Sequence, residues 1–135
     1  MSNWTHVAGI IRIDGYMEDD EFDKLFGKEV HFDAPKEVWR DAWEHPEKYL
    51  PKGSEGSLYK TVWENPNKNH LARYTISIFG DLRDHEDPQE IVDWFEKICQ
   101  KLGWFMVRNA TITVKNDWNG TINKTFEFED SEESK

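Results

Sequence analysis

The sequence predicts an α+β fold: a ferredoxin-like two-layer sandwich, with helices on one face of an antiparallel sheet and an extra C-terminal strand. Two stretches alternate apolar with polar residues as half-buried antiparallel strands do. In one, Tyr74, Ile76, Ile78 and Leu82 oppose Arg73, Thr75, Ser77 and Asp81; in the other, Ala110, Ile112 and Val114 oppose Asn109, Thr111 and Thr113. Between them lies the clearest helix, with Asp87 at the N-cap, Pro88 at the first position, Glu90 where a capping box places it, and Gly103 as the stop. The order strand, helix pair, strand, strand, helix, strand, strand matches a split β-α-β arrangement with one strand added. The competing topology is a more open antiparallel sheet in which the region before residue 50 is largely loop.

Each element follows from its own pattern. Residues 6–14 form a strand with Val7, Gly9, Ile11 and Ile13 on one face; Ile10 adds apolar character to the other, which predicts a central position. Residues 18–26 place Phe22, Leu25 and Phe26 at helical spacing, closed by Gly27. Asp33 caps a second helix with Pro35 in its first turn, a stripe of Val38, Trp39, Ala42 and Trp43, and Pro46 beyond its end. Residues 52–56 read as a flexible loop. Residues 57–64 and 72–82 are strands joined by the turn-rich stretch 65–70. The main helix buries Ile91, Trp94, Phe95, Ile98 and Leu102, with Cys99 alongside. A strand over 105–115 leads through Asn119 and Gly120, a strong hairpin signal, into a last strand with Ile122, Phe126 and Phe128 on one face.

A chain of 135 residues fits one domain, expected over residues 1–129, with 130–135 as an acidic, disordered tail. Residues 14–33 hold eight acids against two lysines, and the segment from 127 to the end holds five acids against one lysine. Together they account for the whole formal charge of −10, leaving a balanced body. That balance opposes a duplex nucleic-acid binder, which needs clustered Lys and Arg. No apolar run approaches the roughly 20 residues that span a bilayer, and the first residues lack the charged and apolar regions of a signal peptide. One cysteine forms no internal disulfide, so a soluble cytoplasmic protein is expected.

Catalytic motifs are absent. The five histidines form no H-x-x-x-H or H-x-H pair, there is no G-x-S-x-G, Walker A or G-x-G-x-x-G, and Cys99 on an apolar stripe reads as a small hydrophobe. No catalytic residue, metal ligand or cofactor is expected. Asp81, Asp84, His85 and Glu86 are the one set from which a metal-assisted hydrolase or nuclease would be built, although acids at the start of a helix are commonly capping and dipole partners. Binding is better supported. Arg12, Arg73, Arg83 and Arg108 fall on or beside strands, and Arg12 and Arg73, facing outward with Phe79, Trp63 or Tyr59 nearby, would hold a small anionic nucleotide by charge and stacking. The competing fate of these arginines is cross-strand pairing with Asp14, Asp81 and Glu64. Trp118, at a hairpin tip, either folds back or contacts a partner; Trp4 poses the same question. Glu18, Asp19, Asp20, Glu21 and Asp23 are the candidate docking surface for a basic protein. The open sheet face suits self-association, so a homodimer or higher homo-oligomer is expected.

Residues 4–14, from Trp4 through Gly9 and Arg12 to Asp14, and residues 77–84, with Phe79, Gly80, Asp81, Leu82 and Arg83, resemble small uncharacterised bacteriophage-encoded proteins. The resemblance supplies no catalytic residues. It implies a protein acting on a host process, either by blocking a host defence protein or by sequestering a signalling nucleotide. A structural or assembly role in a virion is the remaining class.

Overall fold

The computed structural model describes residues 2–66, 72–85, 87–103 and 106–127. The elements are β1 (Trp4–Ile13), α1 (Asp19–Phe26), α2 (Lys36–Glu44), a 3-10 turn (Pro46–Lys48), β2 (Lys52–Gly53), β3 (Gly56–Ser57), β4 (Tyr59–Glu64), β5 (Tyr74–Arg83), α3 (Pro88–Leu102), β6 (Val107–Asn116) and β7 (Gly120–Glu127). The class is α+β. Five strands form one antiparallel sheet in the order β4-β5-β1-β6-β7, and β2 and β3 form a separate two-stranded ribbon.

The alternation read from the sequence decides which face is covered. Val7, Ile11 and Ile13 of β1, Ile76, Ile78 and Leu82 of β5, and Ala110, Ile112 and Val114 of β6 are buried in one core with Ile91, Phe95, Ile98, Cys99 and Leu102 of α3. α3 packs on β6 and β7, and α1 touches α3. α1 joins the core through Phe22 and Phe26, and Phe22 meets the Tyr74 ring edge-on at 5.4 Å. Ile122 and Phe126 pack against the core from β7; Phe128 and the tail 130–135 lie outside the described residues.

Two local features differ from expectation. Residues 52–56 fold into the β2–β3 ribbon, because Gly53 and Gly56 pair and the Ser54 N–H donates to the Arg83 carbonyl at 2.9 Å. A side chain at Gly53 would collide with the Arg83 backbone, so glycine permits this close approach to the end of β5. α2 begins after Pro35, and of its apolar stripe only Ala42 is buried; Trp43 remains 61% exposed. Trp43, at the end of the stripe, borders a cleft, which leaves it on open space. No described helix is long and apolar enough to cross a membrane.

Candidate functional site

The four candidate arginines divide between the two ends of the sheet. The pairings Ile13↔Tyr74 and Ile13↔Val107 bring Arg12, Arg73 and Arg108 to one end, whereas Arg83 pairs with Trp4 at the other. Each meets an oxygen-bearing partner. Arg12 Nη1 donates to Asn109 Oδ1 at 3.1 Å, and Arg108 Nε to Asp14 Oδ2 at 2.6 Å. Arg73 Nη2 donates to Glu64 Oε1 at 3.0 Å, and its guanidinium lies 5.4 Å from the Tyr16 ring centre. Arg83 donates to Ser2 Oγ at 2.9 Å and Glu55 Oε1 at 3.0 Å. Asp14 and Glu64 thus take the cross-strand role expected of them. Asp81 instead accepts from His6.

The open face carries the expected aromatics in two places. Trp63 shares a row with Thr75 and Arg12. Tyr59 stacks on Phe79 at 6.0 Å and continues to His31 at 5.5 Å. Further along, His6 Nδ1 lies 2.7 Å from Asp81 Oδ1 and Nε2 lies 3.0 Å from Asp117 Oδ1. With a carboxylate at each ring nitrogen, the imidazolium is the form that donates to both, and the hydrogen bond to Asp81 leads in raising the pKa above its ordinary 6.5, against a smaller opposing cost of burial.

The acidic segment is ordered. Glu18 is the N-cap of α1, its N–H donating to Glu21 Oε1 at 3.4 Å, and Asp19, Asp20 and Glu21 fill the first turn, where the helix dipole favours them. Lys24 meets Asp20 at 3.3 Å, and the largely buried Lys60 meets Asp23 at 2.7 Å. All five acids are exposed; Glu18 and Asp19 stand at the open N-terminal end, a turn before Phe22, while Asp20, Glu21 and Asp23 lie on the flanks and outer side of the helix.

The acids and His85 before α3 serve separate partners. Asp81 lies on the open face with His6; Asp84, at φ 64°, accepts from Ser54 Oγ at 2.9 Å; Asp87 caps α3 by accepting from the Gln89 N–H at 3.0 Å. Glu86 lies outside the described residues. Among the described residues no group of three His, Cys, Asp or Glu side chains is placed to hold a metal ion. Cys99 is buried, and burial pushes its thiol up to about 12.

Sequence reasoning missed a cleft of about 640 Å³ between α2, the 3-10 turn, β2 and the start of α3, lined among others by Trp43, Tyr49, Lys52, Asp84, Glu90 and Trp94. The Tyr49 hydroxyl donates to Asp41 Oδ2 at 2.6 Å, tying the turn back to α2 and holding the Asp41 carboxyl below the usual carboxylate range. The available signal was the apolar stripe of α2, flanked by Pro46 and Pro51. Trp118 remains 59% exposed at the hairpin tip; its N–H and that of Asn119 donate to Asn116 Oδ1 at 3.0 and 2.8 Å. No protein-family model, curated protein or solved structure matches this chain.

Proposed function

We propose that this chain is a non-catalytic binding protein, of the phage-encoded kind its sequence resembles, that blocks a host protein through α1. One observation carries the reading: Phe22 and Phe26 anchor α1 in the core, so the exposed carboxylates of Glu18, Asp19, Asp20, Glu21 and Asp23 are held in fixed positions around its start. A fixed set of carboxylates presents a preorganised potential to a basic partner and steers its approach. Charge reversal by Asp19→Lys and Asp20→Lys, which spares the Glu18–Glu21 capping box, is expected to abolish protection in a phage-infection assay while lowering the thermal midpoint by only a few degrees. Full protection by that variant would sink the reading.

A second reading is favoured by the convergence of Arg12, Arg73 and Arg108 at one end of the sheet, with Trp63 in the row of Arg12. A small anionic nucleotide bound there would exchange the arginines' carboxylate and amide partners for phosphate, and Arg73→Ala would remove its capture. The paired state of these arginines places this reading second.

The strand order and the two crossovers support a ferredoxin-like reading of the fold, with β7 added beyond β6. The uncovered sheet face, with Phe79, Tyr59 and Trp63, supports self-association as a homodimer, and one buried cysteine suits the cytoplasm. Native mass spectrometry at micromolar concentration reads the assembly state and any retained partner together.

A further inference from the structure

The cleft beside α2 already holds a cation on an aromatic face. Lys52 Nζ lies 4.7 Å from the centre of the Trp43 ring. Withdrawal from water lowers the lysine's pKa, and attraction from Glu47 and Glu90 opposes that shift in part. The surrounding walls are Trp94 and Tyr49, with Asp84, Asp87 and Glu90 along one side. Aromatic faces carry the negative end of a quadrupole and carboxylates accept from charged donors, so these walls favour a cation. Three acids outnumber Lys52 and the largely buried His85, whose Nε2 lies 3.9 Å from Glu90 Oε1, and so disfavour an anion. The volume of about 640 Å³ lies within the range of small-ligand sites. Trp43 lines that space while largely exposed, so an incoming group reaches it without opening the core.

We propose that this cleft receives an arginine side chain presented by a partner polypeptide, the guanidinium lying on Trp43 in the place Lys52 now holds, with Glu90 and Asp84 as acceptors. Arginine suits the site better than lysine because its planar, weakly hydrated head stacks on indole while its edge meets carboxylates. The cleft is separate from the carboxylates of α1 and does not rest on the α1 reading. Lys52 acts as an internal competitor, which gives the proposal an unusual sign: removing a positive charge should strengthen the binding of a positive ligand.

The test uses the full chain and three blocked tripeptides: glycine–arginine–glycine, its citrulline counterpart, which keeps the shape without the charge, and glycine–glutamate–glycine. Indole N–H signals followed by NMR are expected to shift for Trp43 and Trp94 with the arginine peptide and to stay in place with the other two. Trp43→Ala, at an exposed position, is expected to weaken binding about ten-fold, and Lys52→Met to tighten it several-fold. The charge-reversed α1 variant should bind the arginine peptide as the parent does, so failure of the α1 reading leaves this result intact. The proposal is overturned by an equal response to citrulline or glutamate, by weaker binding in Lys52→Met, or by unmoved indole signals at millimolar arginine peptide.

Discussion

Asn116 is the residue on which the polar interior turns. It is buried; its Nδ2 donates to Thr5 Oγ1 at 2.8 Å and to the His85 carbonyl at 3.4 Å, and its Oδ1 accepts the two N–H groups of the hairpin turn. Thr5 Oγ1 in turn donates to the His85 carbonyl. One amide side chain therefore fixes the β6–β7 hairpin and the approach to α3 together. Asn116→Ala leaves Thr5 and the turn amides short of partners, and is expected to cost about 2–3 kcal/mol in chemical denaturation. His6 contributes differently. Because its folded pKa is raised, its clamp on Asp81 and Asp117 is fully present below about pH 6.5 and is lost as pH rises through the folded value. The pair is largely solvent-exposed, so screening holds the effect to about 0.5–1 kcal/mol. His6→Asn should lower the thermal midpoint by about 2 °C near pH 6 and by less near pH 9, read in a pH series of melts. An equal loss at both values would remove the ionic part of the clamp. None of this was legible in the sequence, because residues 6, 81 and 117 become neighbours only once three strands are in register.

At the scale of elements, legibility followed the strength of the period. β5 and β6 alternate cleanly, and their buried faces are the ones the pattern assigned. α3 carried its cap, its stripe and its glycine stop in consecutive letters, and only Trp94 of the stripe stays half-buried, because it lines the cleft. α2 shows the limit of such reasoning. Its stripe of Val38, Trp39, Ala42 and Trp43 told which side was apolar but not whether a neighbour would cover it. The β2–β3 ribbon was illegible for another reason: two residues per strand are too few to show a period, and its placement rests on backbone pairing and on the absence of a side chain at Gly53. Gly53→Ala is expected to push the ribbon away from Arg83, destabilise the chain by about 1–3 kcal/mol and reshape the cleft beside Lys52. Faster hydrogen exchange at the Ser54 amide, with β6 unaffected, would report the local character of the change.

Across the whole molecule, the candidate surfaces lie on different sides of one framework. The arginines and the Tyr59–Phe79 stack belong to the sheet, whose other face carries the core; the carboxylates of α1 face outward from that core, and the Trp43 cleft opens between α2, β2 and α3. Substitutions on one should therefore leave the others nearly unchanged, since sites without shared partners add. Combining the α1 charge reversal with Trp43→Ala is expected to give the sum of the two single changes in unfolding free energy within about 0.5 kcal/mol, read in chemical denaturation. A larger coupling would mean that the two surfaces communicate through the core. The charge segregation was legible as two acidic segments around a balanced body, but the placement of α1 relative to the cleft was not, because residues 43, 52 and 94 are scattered along the chain.

The central position of β1 also governs how this chain is made. Its first strand is flanked by β5 and β6, and Thr5 meets Asn116, 111 residues later. During synthesis β1 leaves the ribosome with both edges unpaired, and it is not enclosed on both sides until β6 has followed. Pairing at such separation is slow and exposes strand edges in the interval. The growing chain is then vulnerable at β1, and a nascent form halted before residue 107 should be cleaved there by protease while the folded protein resists.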